Sequence, residues 1–346
     1  MRHELLVWYH GSKRDLPWRQ TTDPYAIWVS EIMLQQTRVA VVIERYTAFL
    51  QRFPTIQSLA QADEQDVLAL WSGLGYYRRA RMLHKAARSI VSDHAGIMPT
   101  TAEGLRKLSG IGSYTAAAIA SIAHNEPIAV VDGNVERVLS RIQGWHSHDP
   151  VSEAAVRRKV DEFAQTLVDP RQPGDYNQAS MELGATVCTP RNPRCLACPW
   201  AKECRTLGEH STPKRAPMTT REIACALITR ETSSGTEVLL EQRMATNTVM
   251  PGLWELPSLE PTHVLSTAPI LTVRHAIMQV NYTVHAHALA EQQLPTSAAH
   301  RLWLSAERAA CMALTGLARK ILTRIGLIRR PHQSRSIAPS AITRVV

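Results

Sequence analysis

Long apolar runs are missing from this sequence. No uninterrupted stretch approaches the roughly 20 residues needed to cross a bilayer, which argues against an integral membrane protein. The opening Met1-Arg2-His3-Glu4 lacks the apolar core of a signal peptide, so a cytoplasmic chain is expected. Predominant disorder is excluded too. Of the 346 residues, 45% are hydrophobic and only 20% charged, enough for about two domains with cores of their own. Disulfide partners are also lacking. Cys225 and Cys311 stand alone, while Cys188, Cys195, Cys198 and Cys204 crowd into one short segment. In a cytoplasmic chain such crowding reads as a metal or cluster site.

What is present includes an excess of positive charge, +9 in all. A basic balance suggests an anionic partner such as nucleic acid. Its location weakens that argument. Residues 1–210 carry 24 Lys+Arg against 22 Asp+Glu, while residues 329–346 carry four Arg and no acid. The half of the chain that holds the motifs is almost neutral.

From about residue 24 to residue 205 the pattern is helical, with no strand-like alternation and no internal repeat. Asp23-Pro24 is a helix start, a capping residue followed by proline at the first helical position. Residues 206–221 read as an exposed linker rich in Ser, Thr, Pro and Lys. Beyond it, Ile223 to Thr229 and Glu237 to Glu241 are β-type runs either side of a turn at Ser233-Ser234-Gly235. Val273 to Ala288 adds further β-branched residues, and Leu304 to Ile325 reads as a closing helix. The expected organisation is therefore an all-α domain over 1–205, the linker, a smaller α+β domain over 222–328 and a basic, disordered tail.

Two Gly-x-Gly turns each open onto a helix. Gly73-Leu74-Gly75 leads into Tyr76 to Ile90, and Leu108-Ser109-Gly110-Ile111-Gly112 leads into Ser113 to His124. Helix, glycine turn, helix is the helix-hairpin-helix pattern, whose free backbone N–H groups can cradle a phosphate. An ordinary packing turn is the alternative, chiefly for the first. Glu31 falls four residues after Ile27 and three before Leu34, on the apolar stripe of its helix. Desolvation there raises a carboxyl pKa and suits it to act as a general acid; a buried glutamate satisfied by an arginine or amide is the alternative. Asp132 precedes the helical pattern from Gly133 and reads as an N-cap, where helix dipole and amide donors favour the anion; taken alone, that cap would be its whole role. An acid and an anion together form the usual pair for breaking a glycosidic bond. The cysteines read Cys188-x6-Cys195-x2-Cys198-x5-Cys204, a set that can hold zinc or an iron–sulfur cluster.

Taken together, Leu16-Pro17-Trp18-Arg19, the run DPYAIWVSEIMLQQT from Asp23 to Thr37, Gly73 to Tyr77, Leu108 to Ala118 and Val131 to Val135 resemble the MutY-type adenine DNA glycosylases. The resemblance covers about residues 4–205 and implies an all-α helix-hairpin-helix glycosylase domain with a [4Fe-4S] loop on Cys188, Cys195, Cys198 and Cys204. It implies removal of adenine mispaired with 8-oxoguanine or guanine, on double-stranded DNA, by a monomer. In that reading Glu31 protonates the departing adenine at N7 and Asp132 stabilises the sugar cation, with Asn134 orienting Asp132 or the water. Tyr114 stands where bifunctional relatives carry a lysine, so strong β-lyase activity is not expected. Trp18, Arg19 and Glu182 resemble adenine-pocket residues, Gln36 and Tyr76 residues that penetrate the duplex, and Gly110 and Gly112 the phosphate-binding turn.

The second domain resembles the family's Nudix-like domain at Met250 to Pro257, without the acidic run that binds magnesium in Nudix hydrolases. Ile277, Met278 and Gln279 depart from the usual Phe, Ser or Thr, His of an 8-oxoguanine-contacting loop. Two other readings stand beside this one: an endonuclease III-like glycosylase and lyase for oxidised pyrimidines, and a non-catalytic lesion sensor. Tyr114, Glu31 and the extra domain argue against the first, and the presence of both carboxyls against the second.

Overall fold

The computed structural model of the chain describes residues 1–145, 150–210, 217–259, 268–294 and 299–329. Apart from Arg329, the expected basic tail lies outside the described residues, as does the middle of the expected linker. The chain divides into two compact units, Met1–Val67 with Tyr76–Lys214, and Leu68–Gly75 with Arg215–Val346. Nothing in the sequence of Leu68–Gly75 signals that it groups with the second unit.

Among its described residues the first unit holds helices and short 3-10 turns but no strand. Its helices are α1 (Arg2–Ser12), α2 (Pro24–Leu34), α3 (Val39–Arg52), α4 (Ile56–Ala60), α5 (Glu64–Leu70, which runs on into the second unit), α6 (Arg78–Asp93), α7 (Ala102–Arg106), α8 (Ser113–His124), α9 (Gly133–Gln143), α10 (Pro150–Leu167) and α11 (Pro173–Thr186). Short polar residues start them. Asp23 accepts from Tyr25 N at α2, Thr101 from Gly104 N at α7, and Asp132 from Asn134 N and Val135 N at α9. Each satisfies N–H groups that a helix start leaves without a partner. Helix α9 stops at Gly144, whose φ of 67° is open to glycine at little cost.

The sequence reading missed α1 and misjudged α2. Leu5, Leu6 and Tyr9 of α1 join Val138 and Leu139 of α9 and Leu183 of α11 in one buried cluster. The apolar spacing of α2 suggested one buried stripe, yet every residue from Tyr25 to Met33 is buried. Neighbours α3, α6 and α8 all contact it, so no wet face is left. Helix α6 begins at Arg78 rather than Tyr76, because Tyr76 takes a left-handed φ of 46° that a helix cannot continue.

Among its described residues the second unit contains two four-stranded sheets. One has the order β5 (Ser258–Leu259), β1 (Thr219–Leu227), β7 (Val280–Ala288), β6 (Leu271–Ile277), with β1 and β7 parallel. The other joins β2 (Thr229–Thr232), β3 (Gly235–Gln242) and β4 (Trp254–Glu255), with β8 (Arg301–Ser305) also on β3. The turn read at Ser233-Ser234-Gly235 does connect β2 to β3. The expected closing helix from Leu304 to Ile325 is instead the end of β8 followed by α12 (Ala306–Cys311) and α13 (Gly316–Arg324). Two caps explain the break: Ser305 accepts from Arg308 N and Thr315 from Ala318 N, while Leu314 bridges to Trp254. No described helix is long and apolar enough to cross a membrane.

Leu5 is fully buried in the cluster that holds α1 against α9 and α11. Leu5→Ala should cost about 3 kcal/mol, the usual range for a buried leucine. Denaturant unfolding checks this; a loss under about 1 kcal/mol would mean that α1 is not part of the cooperative core.

Candidate functional site

Four helical segments of the first unit surround one cavity of about 640 Å³. Helix α2 contributes Glu31, the start of α8 Tyr114, the start of α9 Asp132 and Asn134, and α11 Met181 and Glu182, while Trp18 and Arg19 enter from the 3-10 turn Pro17–Arg19. Glu31 is 5% exposed. Burial, its main influence, pushes its pKa up to about 7 against an ordinary 4.5, with the nearby Asp132 charge adding to the rise. A hydrogen bond of 2.8 Å from Tyr114 Oη to Glu31 Oε2 and the charge of Arg19 pull the other way and are outweighed. The Tyr114 hydroxyl is itself raised well above its usual range, first by burial and then by the two carboxyls.

Asp132 is held differently. One oxygen accepts from Asn134 N at 2.9 Å and Val135 N at 2.8 Å, the other from Asn134 Nδ2 at 2.8 Å. Asn134 is fixed in turn by Arg137, whose Nη2 donates to Asn134 Oδ1 and to Gly184 O, both at 2.9 Å, while its Nε donates to Cys188 O. Gly184 is required here: a Cβ on it would lie 2.6 Å from Asn134 Cβ and 3.0 Å from Asn134 backbone atoms. Any larger residue would push α11 off the start of α9.

Glu182 is the third carboxyl and is 1% exposed. Burial would raise it, but a fork from Arg14 (Nε 2.8 Å, Nη2 2.7 Å) and Arg19 Nη2 at 2.7 Å more than offset that, holding its pKa down at about 2. Trp18, 7% exposed, packs edge-on against Tyr46 and lines the same cavity.

The predicted site residues thus separate into groups. Glu31, Tyr114, Asp132, Asn134, Trp18, Arg19 and Glu182 converge on the cavity, as does Gln36 at its margin. Tyr76 does not; with Gln36 and Gly110 it lines a neighbouring hollow of about 360 Å³. Gly110 has a φ of 82°, and a Cβ there would meet Met82 Cβ at 2.8 Å. Gly112 starts α8 with no side-chain cap, leaving that helix's first N–H groups without a cap from this residue. The sequence reading missed Arg14, Arg137 and Gln178. Gln178 was findable, since it stands four residues before Glu182 on the same helical face. Arg14 reaches across 168 residues of sequence, and no local signal marks it.

Cys188, Cys195, Cys198 and Cys204 line one small cavity of about 20 Å³ behind α9. Among the described residues no group of three or more His, Cys, Asp or Glu is arranged to hold a metal ion. The donor set nonetheless fits a group bound by four thiolates: all four cysteines line one cavity. Burial raises the Cys198 thiol to about 11, with its three cysteine neighbours adding to the rise. The buried Arg141 donates to Cys188 Sγ at 3.4 Å and to the carbonyls of Thr189 and Pro190. Arg191, Arg194, Lys202 and Arg205 of this loop are all exposed.

Residues 29–165 match the model of the HhH-GPD superfamily base excision DNA repair proteins. The chain is 40% identical over 328 residues to a human adenine DNA glycosylase, covering 78% of this chain and 60% of that protein. It is 52% identical over 213 residues to the rat adenine DNA glycosylase, covering 59% and 41%. It therefore spans about three fifths or less of these relatives' lengths. Among solved structures it is similar to a thermostable thymine-DNA glycosylase, with a TM-score of 0.54 and 29% identity over 59% of this chain and 94% of that one. The matched span runs from within α2 to within α10, taking in Glu31, Tyr114, Asp132 and Asn134. The helical unit thus carries an HhH-GPD domain of the base excision DNA repair kind, matched over residues 29–165.

Proposed function

We propose that the chain is a monofunctional adenine DNA glycosylase, which hydrolyses the N-glycosidic bond of adenine mispaired with 8-oxoguanine or guanine in double-stranded DNA. The carrying observation is the pair of carboxyls held in opposite ways on one cavity: Glu31 buried with a pKa near 7, Asp132 tied down by three N–H donors. A base taken out of the stack into this cavity meets both. Glu31 gives its proton to N7 of the departing adenine, turning a poor leaving group into a neutral one. The Asp132 carboxylate offsets the positive charge that develops on the sugar as the bond breaks. Water then completes the hydrolysis, and Glu31 is reprotonated from solvent. Tyr114 holds Glu31 in place and, having no amine, offers no route to a Schiff base. Trp18, Arg19, Gln178 and Glu182 surround the base, with Glu182 kept as an acceptor by its two arginines.

Cys188, Cys195, Cys198 and Cys204 would hold a [4Fe-4S] cluster, which when bound cross-links the loop from 188 to 204 and shapes a cationic surface toward DNA. The second unit, in this reading, serves recognition of the opposing base through the turn at Met278, which is 74% exposed at the end of β6.

Duplexes bearing adenine opposite 8-oxoguanine, adenine opposite guanine, and thymine glycol test the reading directly. Adenine release with strand breaks only after alkali is expected; spontaneous breaks at thymine glycol would instead indicate a lyase, and no release a sensor. Glu31→Gln should lower single-turnover release by about 10² or more, the scale of a lost general acid, with mispair binding retained. Protonated Glu31 is the working form, so the wild-type rate should fall as pH rises through about 7. The stability that this neutral carboxyl confers is present below 4.5 and lost through the same window. A rate that stays flat across that range removes Glu31 from the acid role. Metal analysis of the purified protein should find about four irons and four sulfides per chain, and one zinc per chain would contradict the cluster.

A further inference from the structure

The end of α2 is closed in an unusual way. A helix leaves its last carbonyls without partners, and a glycine turn commonly supplies the N–H groups that close it. Here Thr37 N takes the carbonyl of Leu34, and the rest go to one side chain from α6. Arg79 Nη1 donates to the carbonyls of Ile32 at 2.7 Å, Met33 at 3.0 Å and Gln35 at 2.5 Å, and its Nη2 to Thr37 Oγ1 at 3.1 Å. These acceptors are neutral, and burial lowers the guanidinium to about 10. Arg79 thus turns inward, while its neighbour Arg81 pairs with Glu64.

Two strained residues flank this guanidinium. Gln36 has a φ of 55° and Tyr76 a φ of 46°, left-handed conformations that side chains other than glycine rarely adopt. Both are exposed, and both line the hollow beside the Glu31 cavity. The Arg79 guanidinium bonds the carbonyl preceding Gln36 and stands 5.7 Å from the centre of the Tyr76 ring. We infer that Arg79 is a positioning residue that couples the end of the Glu31 helix to the Gln36 and Tyr76 turns, so that both are presented to the duplex as one preformed edge when the base leaves the stack. The inference rests on the glycosylase reading above. It assigns Arg79 to mispair engagement rather than to bond breaking. The planar fork is what reaches several acceptors at once, so lysine cannot replace it although its charge is kept.

Arg79→Lys and Arg79→Ala, in the full chain, test this. The measurements are binding to a duplex with non-hydrolysable 2′-fluoro-deoxyadenosine opposite 8-oxoguanine, binding to the fully paired duplex, and single-turnover adenine release across pH. Arg79→Lys should weaken mispair binding by roughly tenfold or more, the scale of a lost charge-assisted hydrogen bond, with little change on paired DNA. Its rate at saturating enzyme should keep the wild-type pH profile, and added guanidinium should restore part of the mispair binding of Arg79→Ala. Arg79→Lys that matches the wild type, or that loses affinity equally for both duplexes, overturns the assignment, as does a shifted pH profile. Wild-type protein that releases no adenine overturns the glycosylase reading and this inference with it.

Discussion

Burial of one carboxyl is the constraint around which the helical unit is arranged. Glu31 stands on a helix with no wet face, and an ionised carboxylate there would forfeit its hydration with little in return. The packing that encloses it is ordinary: Ile27, Trp28, Val29 and Met33 are all buried on the same helix. What is unusual is that a cavity of about 640 Å³ reaches it from the other side. Burial sets the proton affinity, and the cavity gives a substrate access to the proton.

Three carboxyls share that cavity and have three different fates. Glu31 is desolvated, with a single hydroxyl donor from Tyr114. Asp132 caps α9 and is held by three N–H donors. Glu182, almost fully buried, is neutralised by Arg14 and Arg19. Separate environments for like groups are how one site keeps an acid and an anion at one pH. The supports run outward through Arg137, which joins Asn134, Gly184 and Cys188, so the start of α9 and the cysteine loop share one guanidinium.

Much of this was legible in the chain itself. Asp23-Pro24 and Asp132 announce helix starts because capping is a local interaction, readable over three or four residues. The cysteine spacing and the Gly110-Ile111-Gly112 turn are local for the same reason. Burial of Glu31 was readable only in part: spacing gave one apolar stripe, whereas three neighbouring helices cover the others. The partners of Glu182 and the inward turn of Arg79 were not readable, since each depends on contacts across tens to more than a hundred residues. The split of the closing helix into α12 and α13 was missed because two Ser and Thr caps inside an apolar run were outweighed by its periodicity.

The chemistry of this site turns on Glu31 holding a proton near neutral pH inside the folded protein. Titration of ¹³C-labelled glutamate carboxyls by NMR addresses it most directly, with the Glu31 signal identified by its loss in Glu31→Gln. A midpoint near 7 is expected for that one carboxyl. A midpoint at the ordinary glutamate value of 4.5 would contradict it.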